Sequence, residues 1–271
     1  MVLGCSFAPG VGLPQQRPTP KAEGAKPFEW PNGKRAAVSL SFDDARTSQV
    51  DNGLTLFQQH HVKVTFFLQA ENIGKRLEGW KKAVADGHEM GNHTITHPCT
   101  GNYPFSRQNA LEDYSLEMMA AQLDGTSTQI ERLLGVKPST FAYPCGQKFV
   151  GRGLDVRSYV PLVAERFVVG RGYLDEAAND PAFCDLSQAM GTAFDDLTLE
   201  QMKTLVTSAV SSGRWIIFVG HDIGERGFQV TDVTALAALC DYLNDPANSI
   251  WVATVAEVGD YVGRHRPAAA R

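Results

Sequence analysis

The chain has no long hydrophobic run, no basic stripe and no paired-cysteine motif, and each absence removes a class of function. No apolar stretch in its 271 residues approaches the roughly 20 that a membrane span requires. Lys and Arg number 25 against 30 Asp and Glu, a formal net charge of -5, and the basic residues are scattered, so nucleic-acid binding is not expected. The five cysteines, Cys5, Cys99, Cys145, Cys184 and Cys240, include no C-x-x-C pair, which leaves a zinc ribbon or thioredoxin-type site without support. Their odd number leaves at least one thiol unpaired in a monomer. Cys240, within the apolar helical stretch "TALAALCDYL", reads as a buried core thiol. Neither a G-x-G-x-x-G after the first strand nor a G-x-x-x-x-G-K occurs, so nucleotide-binding versions of an α/β fold lose ground.

What is present divides into two parts. Residues 1–33 are rich in Pro and Gly and poor in apolar periodicity, and read as a flexible leader without the charged and apolar segments of a complete signal peptide. "VLGC" at 2–5 has the form of a lipoprotein cleavage stub, but a chance Cys5 in a leader is the plainer expectation. Residues 34–265 are strongly patterned and read as one domain. "AAVSLSF", "VKVTFFL", "HEMGNH", "STFAYP", "RFVVGR", "RWIIFVG" and "SIWVATV" read as strands. Helical segments alternate with them. The one from about Ser115 to Leu134 has Gly125 as an interior weak point; two others open on capping boxes, Thr198 with Gln201 and Thr254 with Glu257. Apolar strands alternating with helices predict parallel strands covered by helices, in an α/β barrel or an open doubly wound sheet.

In such folds chemistry collects at the C-terminal strand ends. The residues there are Asp43 and Asp44, Gln69, Asn92 and His93, Cys145, Arg171, and His221 with Asp222. His93 and His97 are spaced i,i+4, which on a helical turn ended by Pro98 points both imidazoles one way. Two imidazoles and one carboxylate make a three-ligand site with a position left open, the catalytic arrangement for zinc. Cobalt, nickel, manganese or iron also suit a mixed N/O set. Hydrolysis at such a centre needs a base and an acid. Adjacent carboxylates can divide the work between ligand and base, and His221 is a natural acid for an amine leaving group.

"SFDDA" and "HTITH" resemble the first two motifs of the polysaccharide deacetylases of the NodB-homology type, carbohydrate esterase family 4: T-F-D-D-G and H-[ST]-x-x-H. "VTFFL" matches the strand between them, "FAYPCG" stands where R-P-P-Y-G is expected, and "IIFVGHD" where L-x-H is expected. The resemblance covers about residues 34–262 in order. It implies a distorted (β/α) barrel, with Asp43 as base, Asp44, His93 and His97 as metal ligands, and His221 as acid. It further implies the Cys145 backbone N–H as an oxyanion donor, an N-acetylated sugar polymer or oligomer as substrate, and an extracytoplasmic or secreted setting. Alternatives on the same machinery are an acetylxylan O-deacetylase, a small-molecule amidase or imidase, and a non-catalytic carbohydrate-binding relative.

The chain departs from the family pattern at several positions. Ala142 replaces the Arg that orients the base, and Arg171 is the expected substitute. Ala45 replaces a Gly and Val219 a Leu, and no D-x-x-x-W is found; Asp180 and Asp185 are the acids considered as partners for His221. Cys99 and Cys145 each follow a site motif, so loops meeting at the rim would bring them together as a bridge. Tyr103, Phe105, Tyr143 and Tyr173 are candidates to stack on sugar faces, with ordinary packing the plainer reading of each singly.

Overall fold

The computed structural model describes residues 27–266. Parallel strands β1 (Ala36–Asp43), β2 (Thr65–Leu68), β3 (Glu89–Asn92), β4 (Thr140–Ala142), β5 (Val169–Arg171), β6 (Thr192–Ala193), β7 (Trp215–Gly220) and β8 (Ile250–Val252) form one curled sheet. Their order is β5-β4-β3-β2-β1-β7-β6. β1 is central: β7 lines one edge, while β8 and β2 share the other, pairing its N-terminal and C-terminal halves in turn.

The two edges of the sheet approach each other through one short segment. Ala189 exchanges backbone hydrogen bonds with β5, its N–H donating to Gly170 O at 2.8 Å and its carbonyl accepting from Gly172 N–H at 2.7 Å. Three residues later, β6 pairs with β7. The result is the expected distorted (β/α) barrel.

The alternation in "AAVSLSF" does not separate core from water, because every residue of β1 is buried. It separates two packed faces. Val38, Leu40 and Phe42 join a helix-side cluster with Phe57, Trp80, Met202, Val206, Leu236 and Leu239. These come from helices α1 (Leu54–Gln59), α2 (Leu77–Ala85), α5 (Leu199–Ser212) and α6 (Val233–Asn244), which flank α3 (Leu116–Leu134) and α4 (Val160–Arg166) in chain order. On the inner face the serines are satisfied within the barrel: Trp215 Nε1–H donates to Ser39 Oγ at 3.0 Å, and Ser41 Oγ–H to Phe218 O at 2.6 Å. A second cluster joins Ala37, Phe67, Trp215 and Ile217 to Val255, Val258 and Val262 of α7 (Val255–His265).

Both expected capping boxes are formed. Ser115 caps α3, which runs unbroken through Gly125 and ends at Gly135 in the left-handed conformation. Gly125 marks a close approach instead of a weak point, since a Cβ there would lie 2.8 Å from the Ile95 side chain. Phe28 and Trp30, placed in the leader by composition, pack with Trp251 and Tyr261, and Trp30 Nε1–H donates to Gly213 O at 3.0 Å. Residues 1–26 of that leader, including Cys5, lie outside the described residues. Cys240 is buried in the helix-side core, where desolvation raises its thiol pKa to about 12.

Candidate active site

Because the strands are parallel, all their C-terminal ends open on one rim. Asp43 ends β1, and the chain then turns through two successive non-glycine residues in the left-handed region, Asp44 (φ 75°) and Ala45 (φ 53°). Such residues cost about 1–2 kcal/mol each unless their surroundings hold them. Here Asn72 Nδ2–H donates to Asp44 O at 2.9 Å, and the buried Gln49 amide donates to Asp43 O at 2.5 Å and His221 O at 2.9 Å. The second of these positions is the Ala45 that stands in place of a glycine.

His93 and His97 converge with Asp44, but not through a helical turn. Residues 93–97 form a loop in which Thr94 (φ 63°) and His97 (φ 52°) are left-handed. Pro98 disfavours the α conformation at His97, and α3 takes the loop's donors: Gln122 Oε1 accepts from the N–H groups of Ile95 at 2.9 Å and Thr96 at 3.1 Å. Ile95 seats against Gly125 at the same place.

The three side chains enclose a space of ionic size. Asp44 Oδ1 lies 3.5 Å from His93 Nε2 and 3.6 Å from His97 Nε2, and it is buried with no hydrogen-bond partner among the described residues. Zinc bonds of roughly 2.0–2.1 Å in tetrahedral arrangement set ligand atoms roughly 3.3–3.4 Å apart, close to these separations. His93 Nδ1 lies 2.8 Å from Ala142 O, a contact that requires the proton on Nδ1 and leaves the Nε2 lone pair facing Asp44. The orphaned carboxylate oxygen and the bare imidazole nitrogen make the donor set fit a divalent cation. Burial alone would raise the Asp44 carboxyl, but the adjacent His93 imidazole, with His97 and His221 behind it, outweighs burial and holds it well below the usual carboxylate range. Burial, and then the neighbouring His93, lower His97 to about 4, so it is a neutral donor near pH 7.

Asp43 is held apart from this trio. Arg171, fully buried, donates from Nη2 to Asp43 Oδ1, and its guanidinium lies over the Phe67 ring at 4.7 Å. Arg171 also donates from Nη1 to Gly172 O at 2.8 Å. Asp43 Oδ2 faces the site, 3.8 Å from His93 Nε2. The guanidinium expected at Ala142 is thus present, delivered from β5, which neighbours β4 in the sheet.

His221, at the end of β7, is paired with an acid that the sequence reading missed. Asp195 Oδ2 lies 2.6 Å from His221 Nδ1, while Asp195 Oδ1 accepts from the His221 backbone N–H at 3.1 Å and Thr231 Oγ at 2.9 Å. Burial disfavours the imidazolium, but the Asp195 hydrogen bond and the charges of Asp43 and Asp44 prevail and raise the His221 pKa. Asp180 and Asp185 do not serve here; each accepts from a nearby backbone N–H, of Ala182 and Ser187 respectively. The available signal for Asp195 was its place two residues beyond the short strand β6.

Cys99 and Cys145 form a disulfide that ties the loop after His97 to the turn after β4. Cys145 (φ 53°) borders the same cleft of about 790 Å³ as Asp43, Asp44, His93, His97 and His221. Tyr103 and Phe105, both exposed, stack at its mouth with ring centroids 5.5 Å apart and 9° between planes, and Tyr173 packs edge-on to His221 at 5.5 Å. Tyr143 is instead a core residue, fully buried, its hydroxyl donating to Ser187 O at 2.7 Å.

Residues 31–153 match the polysaccharide deacetylase family. The chain is 32% identical over 139 residues to the uncharacterized protein YlxY of Bacillus subtilis, a match covering 51% of this chain and 38% of that one. It is 32% identical over 121 residues to a peptidoglycan-N-acetylglucosamine deacetylase of Bacillus cereus, covering 44% and 40%. The match thus spans well under half the length of these relatives. A structure described as a probable polysaccharide deacetylase from Pseudomonas aeruginosa PAO1 shares the fold, with a TM-score of 0.64 at 14% identity over 91% of this chain and 97% of that one. The "SFDDA" and "HTITH" motifs lie within the matched residues and the barrel brings them to one rim, so residues 31–153 belong to the polysaccharide deacetylase family of the NodB-homology type.

Proposed function

We propose that this protein is a divalent-metal-dependent deacetylase that removes N-acetyl groups from an N-acetylated sugar polymer or oligomer, with residues 34–265 as its catalytic domain. The observation that carries the reading is the buried, partnerless Asp44 Oδ1 facing two imidazole Nε2 atoms, between an Arg-held Asp43 and an Asp-held His221. Asp44, His93 and His97 would hold the metal, zinc by the N/O donor set, with cobalt, nickel, manganese or iron as substitutes. When bound, it supplies a Lewis acid that polarises the amide carbonyl and acidifies water.

The remaining work falls to the protein's own groups. Asp43 takes the proton of the attacking water through Oδ2, while Arg171 fixes Oδ1. The Cys145 N–H donates to the oxyanion as it develops, from a turn tethered by the disulfide. His221 is oriented by Asp195 at Nδ1, so its other nitrogen carries the proton given to the departing amine. Acetate and a free amino group result. The stacked Tyr103–Phe105 pair offers an apolar face for a pyranose ring at the cleft mouth. The disulfide suits an oxidising, extracytoplasmic setting.

Acetate release from chitooligosaccharides, peptidoglycan, acetylxylan and simple imides tests the reading. Release from an N-acetylated glycan is expected. Turnover confined to acetylxylan or to imides would transfer the same machinery to those substrates, and none at all would leave a carbohydrate-binding relative.

A further inference from the structure

We infer that Arg46 is a positioning residue for the metal site, gripping Asp44 by one carboxylate oxygen so that the other alone is presented to the cation. The inference rests on the reading of Asp44, His93 and His97 as metal ligands. Arg46 donates to Asp44 Oδ2 twice, from Nε at 3.1 Å and from Nη2 at 3.0 Å, while Asp44 Oδ1 has no hydrogen-bond partner among the described residues. The two oxygens of one carboxylate therefore have separate environments, one occupied by a guanidinium fork and one facing two imidazoles.

Arg46 is itself anchored from the far side. Its Nη1 donates to Asp222 Oδ2 at 2.7 Å and its Nη2 to Gln229 Oε1 at 2.6 Å. Asp222 Oδ1 accepts from Ser48 Oγ at 2.5 Å, and Ser48 Oγ accepts from the Ile223 N–H at 3.0 Å. Asp222 directly follows His221, so this one cation ties the turn bearing Asp43 and Asp44 to the strand end bearing His221. Asp44 and Ala45 are both left-handed, and a ligand carried on such a turn needs restraint from outside it. A planar guanidinium can fork onto Asp44 while reaching Asp222 and Gln229; a lysine ammonium, a single point of charge, cannot hold all three.

Partners that orient a ligating carboxylate are worth about 10–100-fold in metal affinity. The test is zinc affinity of the metal-stripped full chain, read by competition with a chromophoric chelator, with circular dichroism as the folding control. Arg46→Ala is expected to bind zinc about 10–100-fold more weakly than wild type, and Arg46→Lys to fall between them. Asp222→Asn, which releases Arg46 from its anchor, should weaken binding several-fold in the same direction and carries the test if Arg46→Ala does not fold. Unchanged or tighter binding in a folded Arg46→Ala, or in Asp222→Asn if that variant alone folds, would overturn the inference. If wild type itself binds no zinc, or if His93→Ala binds as well as wild type, the ligand assignment falls and the inference with it.

Discussion

Asp43 and Asp44 are neighbours in sequence with different surroundings, and that difference supports the two roles proposed for them. Asp43 is clamped by the buried Arg171, whereas Asp44 faces two imidazoles. Arg171→Met should leave metal content unchanged and lower kcat/KM by about 100-fold or more, the scale of a positioned general base. Metal analysis alongside steady-state kinetics checks this, and wild-type turnover would remove Arg171 from the mechanism. His221 is raised above its ordinary value despite burial because Asp195 bonds Nδ1 and Asp43 and Asp44 add negative charge. As the proposed proton donor it must be protonated, so its titration is expected to set the alkaline limb of the pH–rate profile. Asp195→Asn removes a charge that favours the imidazolium, and that limb should move to lower pH. Arg171 was legible in the sequence as an Arg closing a strand, because a strand end fixes a place on the rim. Asp195 was not: β6 is only two residues long and carries no periodic signal.

At the scale of elements, the site depends on loops held from behind. The Cys99–Cys145 bridge spans a sequence separation of 46 residues, and closing a loop of that size restricts the unfolded chain by about 4 kcal/mol in the chain-entropy account. Replacing both cysteines by Ala should lower unfolding stability by up to about that amount in denaturant titration. Helix α7 supports β5, the strand that delivers Arg171. A Cβ at Gly259 would lie 2.2 Å from Val169 Cγ2, so the gain in helix propensity of Gly259→Ala should be outweighed by about 1–3 kcal/mol of overpacking. A higher melting temperature for this variant would contradict that packing. The two capping boxes were readable because they are local patterns of side chain and backbone. The His93–His97 turn was misread as helical because i,i+4 spacing does not distinguish a helix from a loop held by a distant Gln122 and Gly125.

For the whole molecule, a parallel sheet covered by helices was legible because apolar strands alternate with amphipathic helices, while its barrel form was implied by the family resemblance. What linear pattern could not supply was closure. Ala189 joining β5 and Thr192–Ala193 joining β7 are backbone pairings over a handful of residues, with no hydrophobic period to announce them. That closure brings Asp195 to His221 and completes the rim. It is also why the central claim concerns a single assembled centre in place of separate motifs.

The most direct test of that claim is a metal titration of turnover. Chain stripped with a chelator and assayed for acetate release from an N-acetylated glycan should be inactive. Activity should return in proportion to added zinc and level off near one equivalent per chain, while Asp44→Ala gains nothing. Acetate release that survives stripping, or that persists undiminished in Asp44→Ala, would contradict the account.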